Sequence, residues 1–184
     1  MMPQSSRFIA PLSGIAGNPL PGNGTGRKRG EAGPSRRWRG VSLPQENQAI
    51  GKSKGGMTTK ILALTDALGN LMRFELLPGN RFDTVGVAPL IKGITFSALL
   101  ADKAFDSNWI IETLNDRGAK IVISQHPRRT NPLEIDTEMY KWRHLIENLF
   151  CKIKEFKRIA MRACKTDTSF TAMIHLTAAI INSR

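Results

Sequence analysis

The composition of the chain changes abruptly near residue 57, and this change limits how much of the chain can build a core. Residues 1–56 hold 11 of the 16 glycines and 6 of the 10 prolines, with nine Lys or Arg and only Glu31 and Glu46 as acids. Such a segment buries too little apolar surface to offset the entropy of ordering it. We therefore predict a disordered Gly/Pro/Arg-rich tail over 1–46 and one folded domain over 47–184.

The charge of the chain favours a polyanionic partner. Lys and Arg number 27 against 15 Asp and Glu, which gives a formal net charge of +12 and a sequence pI near 10.3. Nucleic acid is the commonest partner of such a chain, although ribosomal-type and membrane-surface proteins carry charge of the same sign. Because no apolar run reaches the roughly 18 residues of a membrane span, we expect no membrane partner and a cytoplasmic location. Two lone cysteines and three scattered histidines argue against disulfide and zinc sites; they are Cys151, Cys164, His126, His144 and His175.

Hydrophobic periodicity beyond residue 57 predicts alternating strands and helices. The predicted elements are a hairpin over 60–79, a short helix over 85–93, a buried strand ending at Asp102, a helix over 107–115, a strand over 121–125, a long helix over about 138–162 and a helix over 169–182. Helical crossovers between the later strands are typical of the α/β class.

Two carboxylates stand out in this pattern. At about 100° per residue, Glu147 shares one arc of the long helix with Arg143 and Lys154, apart from the arc that packs. The positive charges of Arg143 and Lys154 favour the ionised form of the Glu147 carboxylate, which can bind a metal ion or an ammonium group. An ordinary solvent-exposed helix face has charged residues at the same spacing, however. Asp102 ends the most buried strand, where clefts form in α/β sheets, although turn and cap residues occupy such positions too.

The long helix also carries a spaced signature. Tyr140, Arg143, Glu147 and Lys154 match the Y-(2)-R-(3)-E-(6)-K signature, so the chain resembles the DDE transposases of bacterial insertion sequences. Around this signature, four segments also look like blocks of that family and occur in the family's order; they are 51–60, 65–70, 100–106 and 140–148. The resemblance covers about residues 47–184.

The resemblance implies an RNase H-like fold, with a five-stranded mixed sheet flanked by helices. It also implies three acids that hold two Mg²⁺ or Mn²⁺ ions, which activate water and then a 3′-hydroxyl against DNA phosphodiesters. By position, Asp102 and Glu147 match the second and third acids, and are thus the expected catalytic and metal-binding residues. Charge and position together give an expected DNA-binding set of Tyr140, Lys141, Arg143, Lys154, Lys157 and Arg158.

The first acid of the family has no counterpart here. Residues 1–65 contain no aspartate, whereas the family carries this acid on a central first strand. We therefore expect a truncated or frameshifted domain that lacks this strand, with 1–46 as an out-of-frame or unrelated translation. Little or no strand transfer by the chain alone is expected. Asp66 is weighed as a substitute acid, while Asp83 and Asp106 are interpreted as loop and helix-start residues.

The sequence leaves two functions open. The first is a transposase-derived protein for DNA cleavage and strand transfer at insertion-sequence ends, defective for want of one acid. The second is a non-catalytic DNA-binding protein, whose basic helix over 141–165 binds transposon ends or regulates an intact transposase. Both interpretations expect double-stranded DNA of terminal inverted repeats as the partner, with a homodimer or an intact transposase as a further partner, at the bacterial nucleoid.

Overall fold

The computed structural model describes residues 7–12, by their backbone alone, together with 48–53 and 56–183. The strands are β1 Arg7–Leu12, β2 Gly51–Ser53, β3 Gly56–Thr65, β4 Leu71–Pro78, β5 Ala98–Ala101 and β6 Lys120–Ile123. The helices are α1 Val87–Ile91, α2 Asn108–Asp116, α3 Thr137–Lys141, α4 His144–Lys154, α5 Lys157–Ala160 and α6 Asp167–Asn182, with 3₁₀ turns at Asp83–Gly86 and Lys103–Phe105. The rest of the predicted tail lies outside the described residues.

The sheet is mixed, with the strand order β2-β3-β1-β5-β6 and with β4 paired to β3. The predicted hairpin is confirmed, since β3 and β4 pair antiparallel around a turn at 66–70. The predicted buried strand, helix and following strand are confirmed as β5, α2 and β6. Because β5 and β6 run parallel, the residues that follow both strands meet at one edge of the sheet, which we call the carboxyl edge.

The central position of the sheet is occupied, which corrects one expectation. β1 lies between β3 and β5, parallel to β3 and antiparallel to β5. The expectation that this strand is missing, and that residues 7–12 belong to a disordered tail, is therefore wrong. A vacant position between β3 and β5 would leave two facing rows of backbone N–H and C=O groups unpaired. The short apolar strand β1 pairs with these two rows instead. The antiparallel direction places the amino end of β1 at the carboxyl edge.

Helices cover both faces of the sheet. On one face, apolar side chains of β3, β5 and β6 form a cluster with α1 and α2, and its fully buried members include Leu62, Leu99, Leu90 and Leu114. The other face packs against α3 and α4 through alternate residues such as Ala63, Leu100 and Val122. Each fully buried Leu or Ile stabilises the fold by about 1.5–3 kcal/mol relative to exposure.

The long helix predicted over 138–162 is wrong as a single element, because it is interrupted twice. Between α3 and α4, Trp142 and Arg143 make i→i+3 hydrogen bonds that tighten the turn. Between α4 and α5, Phe156 adopts an extended conformation (φ −81°, ψ 101°) and packs partly buried against Leu149 and Ile153. No Gly or Pro lies between residues 137 and 163, so the break has no sequence signal and is set by packing.

A polar cluster, the α6 clip, ties the start of the described domain to α6. The guanidinium of Arg162 donates to the carbonyl of Ala49 at 3.2 Å, to the Thr59 hydroxyl and to the carboxylate of Asp167. Asp167 in turn accepts the Ala49 N–H at 2.6 Å. Arg162 has a φ of 45°, a left-handed conformation that costs a non-glycine residue free energy. The clip holds that conformation in place.

Candidate functional site

Asp102 stands at the carboxyl edge, directly after β5. Its backbone is extended (φ −82°, ψ 173°), so it continues the alternation of β5 and shares the sheet face of Ala98 and Leu100, which α3 covers. Its Oδ1 accepts the Ala104 N–H at 2.7 Å and caps the 3₁₀ turn that follows. Asp102 therefore serves as a cap, and its Oδ2 makes no hydrogen bond within the described part of the chain.

Three residues of the signature form one chain of contacts at the α3–α4 junction. The carboxylate of Glu147 accepts from Arg143 at 2.7 Å, and the Arg143 guanidinium lies 5.7 Å from the centre of the Tyr140 ring. Tyr140 packs against the cluster of Leu100 and Val122. The Glu147 side chain is 42% exposed, so this ion pair contributes little to stability and its groups are accessible.

Glu147 and Asp102 lie on the same face of the sheet. Ile146, next to Glu147, is fully buried with Ala63 on that face. Ile9 of β1 pairs with Ala101 on one side and with Leu64 on the other, so these two residues are level with each other across the sheet. Asp102 is therefore level with Ala63, about two strand spacings (~10 Å) away. The first turn of α4 and the end of β5 therefore face a common region.

The residues present do not fit a two-ion metal centre. In the described ranges, no group of three or more His, Cys, Asp or Glu side chains is placed to hold a metal ion. Two ions need carboxylates from several elements because Mg²⁺ takes oxygen ligands in octahedral geometry. Continuing the Ile9–Ala101 pairing by one residue brings position 8, a phenylalanine, beside Asp102. β1, whose sequence is RFIAPL, thus supplies no acid.

Asp66 is engaged by the hairpin turn. Its Oδ1 accepts the backbone N–H groups of Leu68 at 2.9 Å and Asn70 at 2.8 Å, and its Oδ2 accepts the Asn70 side-chain amide at 3.1 Å. These bonds form an Asx-type turn. Both carboxylate oxygens stabilise the hairpin, so the contacts of Asp66 give no support to its role as a substitute acid.

The remaining predicted cations lie along the surface beyond Glu147. Lys154 is exposed at the end of α4, seven residues and so about 10 Å from Glu147 along the helix. Lys157 and Arg158 are exposed at the start of α5. Lys141 pairs with Glu138 at 2.6 Å. The structure therefore brings together Tyr140, Arg143 and Glu147, and does not bring Lys154 to them.

A polar loop at the carboxyl edge was missed by the sequence analysis. In this loop, the β6 loop (residues 124–131), Arg129 forms an ion pair with Asp106, whose side chain is only 4% exposed. Asp106 also accepts the His126 N–H at 2.8 Å, and Arg129 donates to Asn108 Oδ1 at 2.8 Å. The sequence feature that could have indicated this loop is the basic His-Pro-Arg-Arg segment, which follows a strand parallel to β5.

Comparisons with known proteins identify relatives of this chain. The family model described as a transposase DDE domain matches residues 24–182, a range that begins before the predicted domain boundary at 47. A candidate transposase for insertion sequence element IS6501 from Brucella ovis is 35% identical over 127 residues, which cover 68% of this chain and 98% of that protein. No solved structure matches the chain.

These matches decide the family. The family model covers well over half of the chain, and the Brucella relative aligns over nearly its whole length. Among the described residues, no helix has the length and hydropathy of a membrane span. The family uses divalent metal ions and acts on DNA. The chain belongs to the DDE transposase family.

Proposed function

We propose that the chain is a defective DDE transposase that binds the terminal inverted repeats of an insertion sequence but does not cleave them by itself. In this proposal the fold is RNase H-like, the catalytic domain spans 47–184 and the chain works at the bacterial nucleoid. Asp102 and Glu147 take the places of the second and third acids. Tyr140, Arg143 and Lys154 grip the DNA, and Lys141, Lys157 and Arg158 extend that surface.

One observation carries this proposal. Asp102 and Glu147 share a face of the sheet, while the strand between β3 and β5 brings no carboxylate to the carboxyl edge. The direction of β1 adds to the defect, because the carboxyl ends of two strands lie at the same edge of a sheet only when the strands run parallel. β1 runs antiparallel to β5, so its carboxyl end lies away from Asp102.

The chain's own residues account for DNA binding without a metal ion. Arg143 is held between the Tyr140 ring and the Glu147 carboxylate, which orients its guanidinium. Arg and Lys side chains bind phosphate oxygens through charge and hydrogen bonds. When bound, a divalent ion would activate the attacking oxygen and stabilise the leaving one. Asp102 and Glu147 alone do not provide the ligands for two such ions.

The test uses the purified full chain and a duplex that carries the inverted repeat of its own element. We expect binding in the mobility-shift assay and no nicking with Mg²⁺ or Mn²⁺. Nicking that depends on the metal, and that Glu147→Gln abolishes while Glu155→Gln does not, would show an intact active site and overturn the defect. Absence of DNA binding at low salt would overturn the proposal as a whole.

A second candidate function is regulation of an intact transposase. It is favoured by exposed cations at the end of α4 and the start of α5, namely Lys152, Lys154, Lys157 and Arg158. A chain that occupies transposon ends without cutting them competes with an active copy, as a homodimer or in a mixed complex. Co-expression should then lower the excision frequency of an intact element, and Arg143→Ala should relieve that inhibition.

A further inference from the structure

A second polar site lies at the carboxyl edge, beyond the signature residues. A cavity of about 280 Å³ opens there, lined by Asp106, Asn108, His126, Arg128, Arg129, Thr130 and Asn131. Its volume is several times the ~30 Å³ that one water occupies, so a hydrated phosphate group fits. Its lining comes from two segments, one after β5 and one after β6.

The hydrogen bonds within the site leave some of its side-chain donors available to a ligand. Asp106 is neutralised by Arg129 and receives the His126 N–H, so it presents little negative charge. Asn108 accepts from Arg129 through Oδ1, which leaves its side-chain NH₂ available as a donor. The Arg128 N–H donates to His126 Nδ1 at 3.3 Å, so the proton of that ring belongs to Nε2.

Arg128 is the free cation of this cavity. Its side chain is exposed and makes no hydrogen bond or ion pair with any other residue that the structure describes. The guanidinium of its neighbour Arg129 is used by Asp106, Asn108 and the Asn131 carbonyl. Arg129 therefore stabilises the loop, whereas the Arg128 side chain is exposed to solvent.

We propose that this cavity binds a backbone phosphate of DNA, with Arg128 as its main ligand. The 3₁₀ turn Lys103–Phe105 separates Asp106 from Asp102 by four residues, about 8 Å at the rise of such a turn. The phosphate would thus lie within one or two nucleotides of the one nearest Asp102. This inference rests on the proposed function, because it names a new contact to the same DNA.

The experiment measures duplex binding by the full chain with fluorescence anisotropy over a series of KCl concentrations. Each phosphate contact contributes about 0.9 to the slope of log K against log [salt]. Arg128→Gln should lower the slope by about that amount, whereas Arg128→Lys should retain it because the charge remains. Thermal melting of each variant checks that the fold is unchanged.

The matched control is Lys92→Gln. Lys92 is exposed, and its carbonyl accepts from Arg73 of β4 at the edge of the sheet opposite to β6. Its loss removes one positive charge without touching the cavity, so the slope should stay the same. An unchanged slope in Arg128→Gln, or an equal fall in both variants, overturns the phosphate site and leaves the proposed function standing. No binding by the unaltered chain overturns both.

Discussion

Two arginine–aspartate pairs in this molecule have the same chemistry and different surroundings. In the α6 clip, Asp167 is 28% exposed and Arg162 is 9% exposed. At the β6 loop the order is reversed, because Asp106 is 4% exposed and Arg129 is 16% exposed. The clip buries its cation against the fold, whereas the loop buries its anion and leaves cations at the surface.

The difference indicates which pair would support the proposed phosphate site. An aspartate that is a quarter exposed regains water when its partner is lost, while a buried one does not. The clip joins Ala49 and Thr59 to α6, so its effect is confined to the fold. The loop pair fixes the segment that carries Arg128, and its loss should affect both stability and DNA binding.

Arg129→Ala should have the largest effect. Among the described residues, it leaves the buried Asp106 carboxylate with the His126 N–H as its one remaining hydrogen-bond donor, so we expect a loss of about 3 kcal/mol in the free energy of unfolding. Urea denaturation gives that value, and the salt slope of DNA binding should fall with it. Asp106→Asn with Arg129→Ala should recover part of the stability. A loss no larger than that of Arg162→Ala would contradict the comparison.

Arg162→Ala should come second, at about 2 kcal/mol, because Asp167 is partly rehydrated while the Ala49 carbonyl and the Thr59 hydroxyl lose a donor. Amide hydrogen exchange should show the Ala49 N–H opening first. DNA binding should keep its salt slope. Arg158→Ala, on the exposed side of α5, is the control and should change stability by less than about 0.5 kcal/mol. A fall in the slope with Arg162→Ala would mean that the clip also serves the DNA surface.

An exposed third pair should show the smallest effect. The hydrogen bond from Lys120 at 2.7 Å, with the N–H of Met139, holds the pKa of Asp136 below its usual value of 3.8. The ionised Asp136 carboxylate therefore stabilises the start of α3 fully when the pH is above the usual pKa. This stabilisation is lost as the pH falls through the lowered pKa. Carboxyl ¹³C titration should give a midpoint below 3.8, and Lys120→Gln should raise it. Equal midpoints would show that the pair is not formed in solution.

Local patterns were sufficient to predict most of the sheet. The hairpin followed from apolar residues around an Asp-Ala-Leu-Gly-Asn turn, and Gly69 does take a φ of 85° there. The four residues of β5 are buried, as their unbroken apolar run indicates. The start of α6 at Asp167, two residues before the predicted Ser169, reflects a cap by Thr166, whose side chain accepts the Ser169 N–H.

Long-range contacts set what the sequence could not indicate. Phe156 ends α4 because its ring is drawn into a cluster with α6, and no local residue type marks that break. The β1 segment pairs with strands more than 50 residues away, and its six residues stand alone in a Gly- and Pro-rich stretch. At the site, the signature residues were identified by spacing, but Arg128 and Arg129 differ only in which one finds Asp106.

The direction of β1 also decides how this lineage can change by mutation. Its amino end, not its carboxyl end, lies beside Asp102, so an acid restored there has to replace Arg7 or Phe8. No single nucleotide substitution converts an arginine or phenylalanine codon into one for aspartate or glutamate. Under the proposed defect, gaining an acid at this position would take at least two nucleotide changes, and recombination with an intact copy would be the shorter genetic route to a functional element.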